Sequence, residues 1–264
     1  MTLTERGNMG DLPFKKKWPS SQAAPGESEP QLLKGSLSWG LDVVITYREE
    51  GSASKVKGEK LCERINKAHS RAMLINCDIS QKESVKKAIH DIKGHFGRID
   101  FPVLNAAKAP FKSIEKLFER ELRDLVNTNY PGHIFCIQES IPLLEKTEGK
   151  VVFISSLGNR FYNPSYPLGS MKAAMESVVR DCSQSLRNQK IMVNGVCGGI
   201  VKTDAFKTIR LYWENIDQLP EHLFVPPEEI ADVVMFLCGP GARGMQGQIL
   251  VVDRGLSNSP FGSF

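Results

Sequence analysis

The stretch that decides the fold of this chain covers residues 151–204 and reads VVFISSLGNRFYNPSYPLGSMKAAMESVVRDCSQSLRNQKIMVNGVCGGIVKTD. Its apolar start at residues 151–154 predicts a buried strand, which ends at two serines. Tyr166 and Lys172 come next, with a helical pattern of apolar residues after them. A second short strand at residues 191–194 opens into Gly198-Gly199. The stretch therefore predicts two strands joined by a helix, with polar groups where the strands end.

The polar residue types of this stretch suit hydride transfer. Reduction of a polarised C=O or C=C bond builds negative charge on an oxygen, which an O–H donor must stabilise or protonate. A tyrosine is a poor acid at neutral pH unless a nearby cation favours its phenolate. Tyr166 is the candidate acid, and Lys172 is the candidate cation, which could also hold a cofactor ribose. Ser156 is the candidate second donor to the same oxygen.

Each of these residues also has an ordinary structural interpretation. A serine at a strand end often caps a helix, and tyrosine and lysine on a helix usually lie at the surface. For any one residue alone, the ordinary interpretation is favoured. The ordered set, followed by the turn Gly-Gly-x-x-x-Thr, favours the catalytic interpretation.

Three motifs carry a resemblance to the short-chain dehydrogenase/reductase family, over about residues 40–256. They are Ser155-Ser156-Leu157-Gly158, Gly169-x-x-Lys172-Ala173-Ala174 and Gly198-Gly199-x-x-x-Thr203-Asp204-Ala205. They are most similar to the NADPH-dependent type III enoyl-acyl-carrier-protein reductases. Most members of the family carry the tyrosine three residues ahead of the lysine, where this chain has Leu168. The wider separation resembles the enoyl branch, in which six residues intervene, although five intervene here.

The position of Tyr166 follows from helix geometry. Six steps of about 100° would leave Tyr166 and Lys172 roughly 120° apart on one regular helix, whereas four steps nearly realign two side chains. Tyr166 is therefore expected in the loop before the helix.

The resemblance implies an oxidoreductase that reduces an enoyl thioester in fatty acid or related acyl synthesis. Hydride would go to the β-carbon, and Tyr166 would stabilise the enolate oxygen. A 3-oxoacyl or other carbonyl reductase is the alternative among enzymes. A catalytically impaired homologue is the alternative of a different class.

The resemblance also implies the binding residues for NADPH. They are Arg48, Asp78, Ile79, Asn105, Ala106, Lys172, Gly199, Val201 and Thr203. The strand end at residues 46–48 offers no carboxylate for a ribose 2′-hydroxyl, and Arg48 could pair with a 2′-phosphate. Asn129 matches the helix asparagine that helps to carry a proton-relay water. Its alternative interpretation is a helix asparagine bonded to the backbone.

The order of apolar segments predicts an α/β fold. Strands at residues 42–47, 72–77, 101–104 and 247–253 alternate with helices at residues 54–69, 82–96, 114–144 and from residue 227. Strands separated by helices of these lengths imply a parallel sheet with helices on both faces. We expect a single doubly wound domain of Rossmann type at residues 40–256, with a tail at residues 257–264.

Residues 1–39 depart from this pattern and are expected to form an aberrant or disordered segment, because they contain four prolines between polar residues. The family's first strand and its glycine-rich turn, whose N–H groups receive the pyrophosphate, are absent from them. Reading possible codons for residues 15–39 from the third base yields Lys-Lys-Val-Ala-Leu-Val-Thr-Gly-Ser-Ser-Arg-Gly-Ile-Gly and then a helix that ends in Leu-Gly. We hypothesise that this segment is a frame-displaced cofactor loop.

Composition limits the remaining function classes. The net charge of +4 comes without a long basic block, so nucleic-acid binding is not predicted. The six cysteines lack the spacing of metal ligands, and we expect reduced thiols and no metal. No apolar run approaches 18 residues, so a cytoplasmic protein without membrane contact is expected. The resemblance implies an acyl thioester substrate, with acyl carrier protein as one carrier, and a homodimer or homotetramer.

Overall fold

In the computed structural model, the described residues are 2–4, 40–49, 51–67, 70–161, 167–202, 206, 210 and 216–258. They form an α/β structure around one seven-stranded sheet. The strands are β1 (Thr2–Thr4), β2 (Asp42–Tyr47), β3 (Ala72–Asn76), β4 (Phe101–Leu104), β5 (Lys150–Ser156), β6 (Met192–Gly198) and β7 (Ile249–Val252). Their order across the sheet is β3-β2-β1-β4-β5-β6-β7. This order, with parallel pairs on each side of β1, confirms the predicted doubly wound fold.

The helices alternate with the strands along the chain, as the apolar periodicity predicts. They are α1 (Ala53–Lys67), α2 (Lys82–Phe96), α3 (Glu119–Asn129), α4 (Pro131–Leu144), α5 (Leu168–Ser185) and α6 (Pro227–Cys238). Short 3-10 turns occur between them, and the one at Leu157–Asn159 follows β5 directly. None of the helices in the described part of the chain has the length and apolar character needed to cross a membrane.

The core consists of two apolar layers, one on each face of the sheet. One layer packs α2, α4 and α5 on the sheet through residues such as Ile92, Leu144 and Met175. The other layer packs α1 and α6 on the opposite face through residues such as Ile65 and Leu237. Burial of these side chains is the main favourable term in folding, because each removes apolar surface from water. The sheet is therefore covered on both faces, and polar groups are concentrated at its edges.

The predicted single helix at residues 114–144 is wrong in one respect, because a short turn and two helices occupy this region. The turn is Ile114–Lys116, α3 ends at Asn129, and α4 begins at Pro131. Tyr130 between the helices has φ −122° and ψ −79°, outside the helical region. Pro131 has no N–H to continue the α3 ladder, and its ring disfavours a helical residue before it. The break sets the direction of α4 relative to α3.

The middle of the sheet is occupied by β1, which runs antiparallel to both of its neighbours. Thr4 pairs with Asp42 and Thr2 with Val44, while Leu3 pairs with Phe101. Thr4 lies beside the first residue of β2, so the chain leaves β1 at the amino edge of the parallel strands. A turn that followed β1 directly would therefore lie at the edge opposite to the carboxyl ends. The segment predicted as a frame-displaced cofactor loop, residues 15–39, lies outside the described residues.

Arg254, two residues after the end of β7, adopts a left-handed conformation with φ 53°. An L-residue in this region is destabilised by roughly 1–2 kcal/mol, which explains the use of glycine at such a position. The Arg254 guanidinium forms an ion pair with Glu229 and donates to the carbonyl oxygen of His222 at 3.2 Å. These contacts offset part of the strain and connect the end of the sheet to α6.

Two glycines, Gly169 on helix α5 and Gly158 in the turn after β5, allow the helix to pack closely on that turn. A Cβ atom added at Gly169 would lie 1.8 Å from the carbonyl oxygen of Gly158, closer than any real contact. The first turn of α5 therefore packs directly on the backbone of the turn Leu157–Asn159. Leu168 is buried at the same place, with 4% of its surface exposed.

We predict that Gly169→Ala destabilises the protein by about 3 kcal/mol or more, since the added methyl group must separate α5 from β5. The matched control is Gly158→Ala, where the nearest atom to an added Cβ would be 3.7 Å away, an ordinary contact. This control should change the free energy of unfolding by less than about 1 kcal/mol. Urea unfolding followed by circular dichroism measures both values. Equal effects of the two substitutions would contradict this packing.

Candidate active site

The carboxyl ends of the parallel strands bring the predicted polar residues to one edge of the sheet. Arg48, Asp78, Asn105, Ser156 and Gly199 lie at or just beyond the ends of β2, β3, β4, β5 and β6, respectively. In open parallel sheets, ligands bind in the crevice outside these ends. The described residues thus assemble a site from five strands that are distant in sequence.

Ser156 is the last residue of β5 and begins the turn Leu157–Asn159. Its backbone is extended, and its Oγ accepts a hydrogen bond of 3.4 Å from the N–H of Gly158. The side chain is half-buried and has donor capacity left, because a hydroxyl is both donor and acceptor. Ser156 therefore caps the turn, as the ordinary interpretation holds, while its O–H hydrogen remains available for a ligand.

Lys172 lies on α5 with 4% of its surface exposed. Its Nζ donates to the carbonyl oxygen of Ile154 at 2.7 Å and lies 4.8 Å from the centre of the Phe153 ring. Burial disfavours the charged amine and lowers the pKa of Lys172 to about 8. The ammonium group is therefore fixed against β5, two residues before Ser156.

Tyr166, the candidate acid, lies outside the described residues. The helix that carries Lys172 begins at Leu168, two residues after Tyr166. Leu168, at the usual position of the family's tyrosine, is a buried hydrocarbon side chain and cannot donate a proton. Helix α5 carries no tyrosine, so a phenol acting with Lys172 would come from another part of the chain.

Asn129 is the last residue of α3 and is 1% exposed. Its Nδ2 donates to the carbonyl oxygens of Leu125 at 2.7 Å and Lys108 at 2.5 Å. Its Oδ1 accepts from the N–H of Lys108 at 3.2 Å. Both polar atoms of the side chain are thus engaged with backbone, as in the alternative interpretation of this residue. The amide fastens the loop after β4 to the break between α3 and α4.

The residues predicted to contact the adenosine half of a cofactor lie beyond β2 and β3. The guanidinium of Arg48 is half-exposed and forms an ion pair with Glu49. Asp78 Oδ1 accepts from the N–H and the hydroxyl of Ser80, at 2.9 and 2.7 Å. Ile79 is buried, and a Cβ at Gly132 would come within 2.9 Å of its carbonyl oxygen. The Asp78 carboxylate thus orders the turn before α2. The backbone of α4 at Gly132 packs against the carbonyl oxygen of Ile79.

Other residues predicted to bind the cofactor lie beyond β4 and β6. Asn105 and Ala106 are exposed after the buried strand β4. The N–H of Gly199 donates to the carbonyl oxygen of Val252 at 2.9 Å, and a Cβ there would come within 2.8 Å of the Cα of Asp253. Val201 is half-buried, and Thr203 lies outside the described residues. Gly199 therefore allows the chain beyond β6 to pass close to β7 at this edge.

Two residues near the site were not singled out by the sequence patterns. His133 is buried on α4, edge-on to the Phe153 ring, with a distance of 5.4 Å between the ring centres. Among the described residues, no group meets the hydrogen-bond geometry with either ring nitrogen, although the nearby Ala106 backbone partly opposes the fall in the pKa of the ring. Burial, and secondarily the charge of Lys172, lower the pKa of His133 to about 3, so the ring is neutral. Glu176 lies on α5 and contacts the turn after β5. The sequence signal that could have identified Glu176 is its spacing of four residues from Lys172, which places both residues on one face of a helix.

A family model described as enoyl-(acyl carrier protein) reductase matches residues 37–257. The chain belongs to the short-chain dehydrogenase/reductase family. The chain is 30% identical over 226 residues to a 1-cyclohexenylcarbonyl-CoA reductase from Streptomyces collinus, with 81% of this chain and 78% of the relative covered. It is 26% identical over 221 residues to a 3-oxoacyl-[acyl-carrier-protein] reductase from Staphylococcus epidermidis, with 82% and 89% covered.

Solved structures share the fold of this chain. A gluconate 5-dehydrogenase from Burkholderia cenocepacia, in complex with NADP and tartrate, superposes with a TM-score of 0.78 at 21% identity, covering 87% of this chain and 91% of the other. A short-chain type dehydrogenase/reductase from Mycobacterium marinum gives a TM-score of 0.76 at 20% identity, covering 87% and 91%. Family membership identifies the chain as an oxidoreductase that uses a nicotinamide cofactor.

Within the described residues, no group of three or more histidine, cysteine, aspartate or glutamate side chains is placed to hold a metal ion. All six cysteines are free thiols. Burial raises the pKa of Cys197 and Cys238 to about 12, so these thiols remain protonated.

We predict that the buried Lys172 makes the free energy of unfolding increase with pH between about 8 and 10.5. Its folded-state pKa of about 8 lies below the ordinary 10.5, so between these values the unfolded chain binds more protons than the folded one. The free energy of unfolding of the parent, relative to Lys172→Met, should rise by roughly 3 kcal/mol as the pH rises through this window. Urea unfolding between pH 7 and 10.5 measures the difference. Lys93→Met, on the exposed surface of α2, is the control, and a flat difference for Lys172→Met would contradict the burial of the ammonium.

Proposed function

We propose that this protein is an NADPH-dependent reductase of enoyl thioesters. The observation that carries the proposal is the burial of Lys172 beside the end of β5, with Leu168 rather than a tyrosine one turn before it. The acid has to come from an earlier position, and Tyr166 gives the wide Tyr–Lys separation that resembles the enoyl branch. The family model described as enoyl-(acyl carrier protein) reductase and the CoA reductase relative support this assignment.

The described residues fit the chemistry of a nicotinamide dinucleotide. The carboxyl edge offers a cation at Arg48, the exposed turn of Asn105 and Ala106, and the close backbone passage at Gly199. When bound, the dinucleotide would supply a hydride. Arg48 would hold a 2′-phosphate in place of the carboxylate of Glu49, and Lys172 would reach toward the ribose beside β5.

Ser156, Tyr166 and Lys172 would handle the charge that develops on the thioester oxygen. The Ser156 hydroxyl and the Tyr166 phenol would donate hydrogen bonds to this oxygen, which becomes an enolate oxygen as hydride adds to the β-carbon. A positive charge at Lys172 lowers the pKa of a nearby phenol, which helps Tyr166 to release its proton. Asn129 would act through the backbone, since its amide groups hold the loop after β4.

Reduction of a 3-oxoacyl thioester is the second candidate, and the 3-oxoacyl-[acyl-carrier-protein] reductase relative favours it. The same Ser156 and Tyr166 donors would then face a ketone oxygen. A catalytically impaired homologue is the third candidate, because residues 1–39 lack a Gly-x-x-x-Gly-x-Gly sequence. We propose residues 40–256 as the reductase domain, residues 1–39 as an aberrant segment and residues 257–264 as a tail.

The proposal includes the substrate carrier and the assembly. The substrate would be a small acyl thioester, and acyl carrier protein is one possible carrier. The protein would act as a homodimer or homotetramer formed through its long helices. These assignments follow the resemblance to the family.

We predict that crotonyl thioesters are reduced with NADPH and acetoacetyl thioesters are not. Consumption of NADPH with coenzyme A thioesters is measured for the chain as written and for a repaired chain. The repaired chain carries the decoded glycine turn at positions 15–28 and the decoded helix to position 39. It should bind NADPH more tightly by about two to four decades, because at least two charge-assisted N–H contacts are regained.

The outcomes of this assay separate the three candidates. Reduction of acetoacetyl but not crotonyl thioesters would assign carbonyl reduction, and no turnover by either chain would indicate an impaired homologue. Tyr166→Phe should lower kcat by roughly 10²–10⁴-fold, the usual contribution of a general acid. Tyr162→Phe is the matched control and should leave kcat unchanged. A large loss from Tyr162→Phe alone would move the acid to that residue.

We predict that NADPH is preferred over NADH, and that Arg48→Ala removes most of this preference. Loss of one or two charged contacts to a 2′-phosphate should weaken NADPH binding by roughly 10–100-fold and leave NADH binding unchanged. The dissociation constants are measured by the change in fluorescence of the reduced cofactors. Arg187→Ala, in the turn that precedes β6 at the opposite edge, is the control. An equal preference before and after Arg48→Ala would remove this arginine from the proposed site.

A further inference from the structure

One side chain from the end of β5 and one from the turn that follows it donate to the same carboxylate oxygen on α5. Ser155 Oγ donates to Glu176 Oε1 at 2.5 Å, and Asn159 Nδ2 donates to the same oxygen at 2.5 Å. The two donors lie on either side of Ser156 in sequence. Hydrogen bonds to an ionised carboxylate are roughly twice as strong as those between neutral groups. The turn that carries Ser156 is therefore bound to α5 at both of its ends.

Glu176 lies four residues after Lys172, so both side chains project from the same face of α5. They do not bond to each other, because Lys172 donates to the backbone of β5 while Glu176 accepts from Ser155 and Asn159. The Glu176 charge is directed toward the sheet, since it adds to the effect of burial in raising the pKa of Cys197 on β6. One helical face thus holds the end of β5 at two successive positions.

The Ser156 side chain itself is weakly restrained within the described residues. Its one hydrogen bond in this structure is the 3.4 Å contact with the N–H of Gly158, at the long end of the usual range. The placement of its hydroxyl therefore depends on the backbone of residues 155–159. Gly169, Lys172 and Glu176 are the groups of α5 that fix this backbone.

We propose that Glu176 is a positioning residue that sets the Ser156 hydroxyl relative to Lys172. It acts by holding Ser155 and Asn159, and it touches neither substrate nor cofactor. The catalytic consequence rests on the proposed function, in which Ser156 is a donor to the substrate oxygen. The restraint on the turn can be measured without any activity.

The first experiment measures hydrogen exchange of the peptide that spans residues 155–161 by mass spectrometry. Glu176→Ala should raise its exchange rate roughly tenfold or more, because local opening no longer breaks two charge-assisted hydrogen bonds. Glu176→Gln retains an acceptor oxygen and should give an intermediate rate. Asp181→Ala, at an exposed position of the same helix, is the matched control. An unchanged rate in Glu176→Ala, or an equal rise in β6 and β7, would overturn the proposed local restraint.

Asn159→Asp tests the charge of the contact. This substitution places a second carboxylate against Glu176 at a position where the amide now donates at 2.5 Å. Repulsion should open the turn as much as Glu176→Ala does, and the double variant Asn159→Asp with Glu176→Gln should restore part of the protection. Protection in Asn159→Asp equal to that of the parent would contradict the contact.

The second experiment is a double-mutant cycle. It uses whichever chain, the one as written or the repaired one, reduces a thioester. Glu176→Ala should lower kcat by roughly 10–100-fold in the parent, with less effect on KM, and should cause no further loss in a Ser156→Ala background. Losses that multiply would show that Glu176 does not act through Ser156. If no thioester is reduced, the proposed function fails, and the exchange experiment still decides whether Glu176 restrains the turn.

Discussion

The close packing of the first turn of helix α5 on the turn Leu157–Asn159, which follows β5, is the constraint on which the site depends. Gly169 meets the carbonyl oxygen of Gly158 at a distance that leaves no room for a methyl group. At this separation the Lys172 side chain reaches the Ile154 carbonyl oxygen and is buried between helix and sheet. A larger residue at Gly169 would move the helix outward, and the ammonium would leave both its acceptor and its apolar surroundings.

The electrostatics of the site follow from this geometry. Within the described residues, no carboxylate forms an ion pair with Lys172, whose hydrogen bond goes to a backbone carbonyl oxygen. Glu176, one turn away, is occupied by Ser155 and Asn159. The ammonium charge is therefore not neutralised, and it disfavours protonation of the neighbouring His133. A buried cation without a counter-charge is suited to lower the pKa of an approaching phenol.

The centre of the sheet differs from the arrangement that the family resemblance implies. A parallel first strand would deliver the turn after it to the carboxyl edge, where the other polar residues lie. The antiparallel β1 pairs Thr4 with Asp42 and so ends at the opposite edge. Through β1 the two parallel halves of the sheet are joined by backbone pairing, while the polar strand ends at the carboxyl edge belong to β2, β3, β4, β5 and β6.

The sequence by itself determined the alternation of strands and helices, because apolar periodicity reports which face of each element is buried. It placed α2 and β4 at their observed bounds and put Lys172 on a helix after β5. It also grouped the strand-end residues, since parallel strands share a carboxyl edge. The adjacent Pro131 is a local signal for the break at Tyr130, which apolar periodicity does not register. Only the tertiary structure decided the antiparallel direction of β1, the backbone bonds of Asn129 and the contacts of Glu176 with Ser155 and Asn159. Each of these depends on groups distant in sequence or on backbone geometry, to which local periodicity is insensitive.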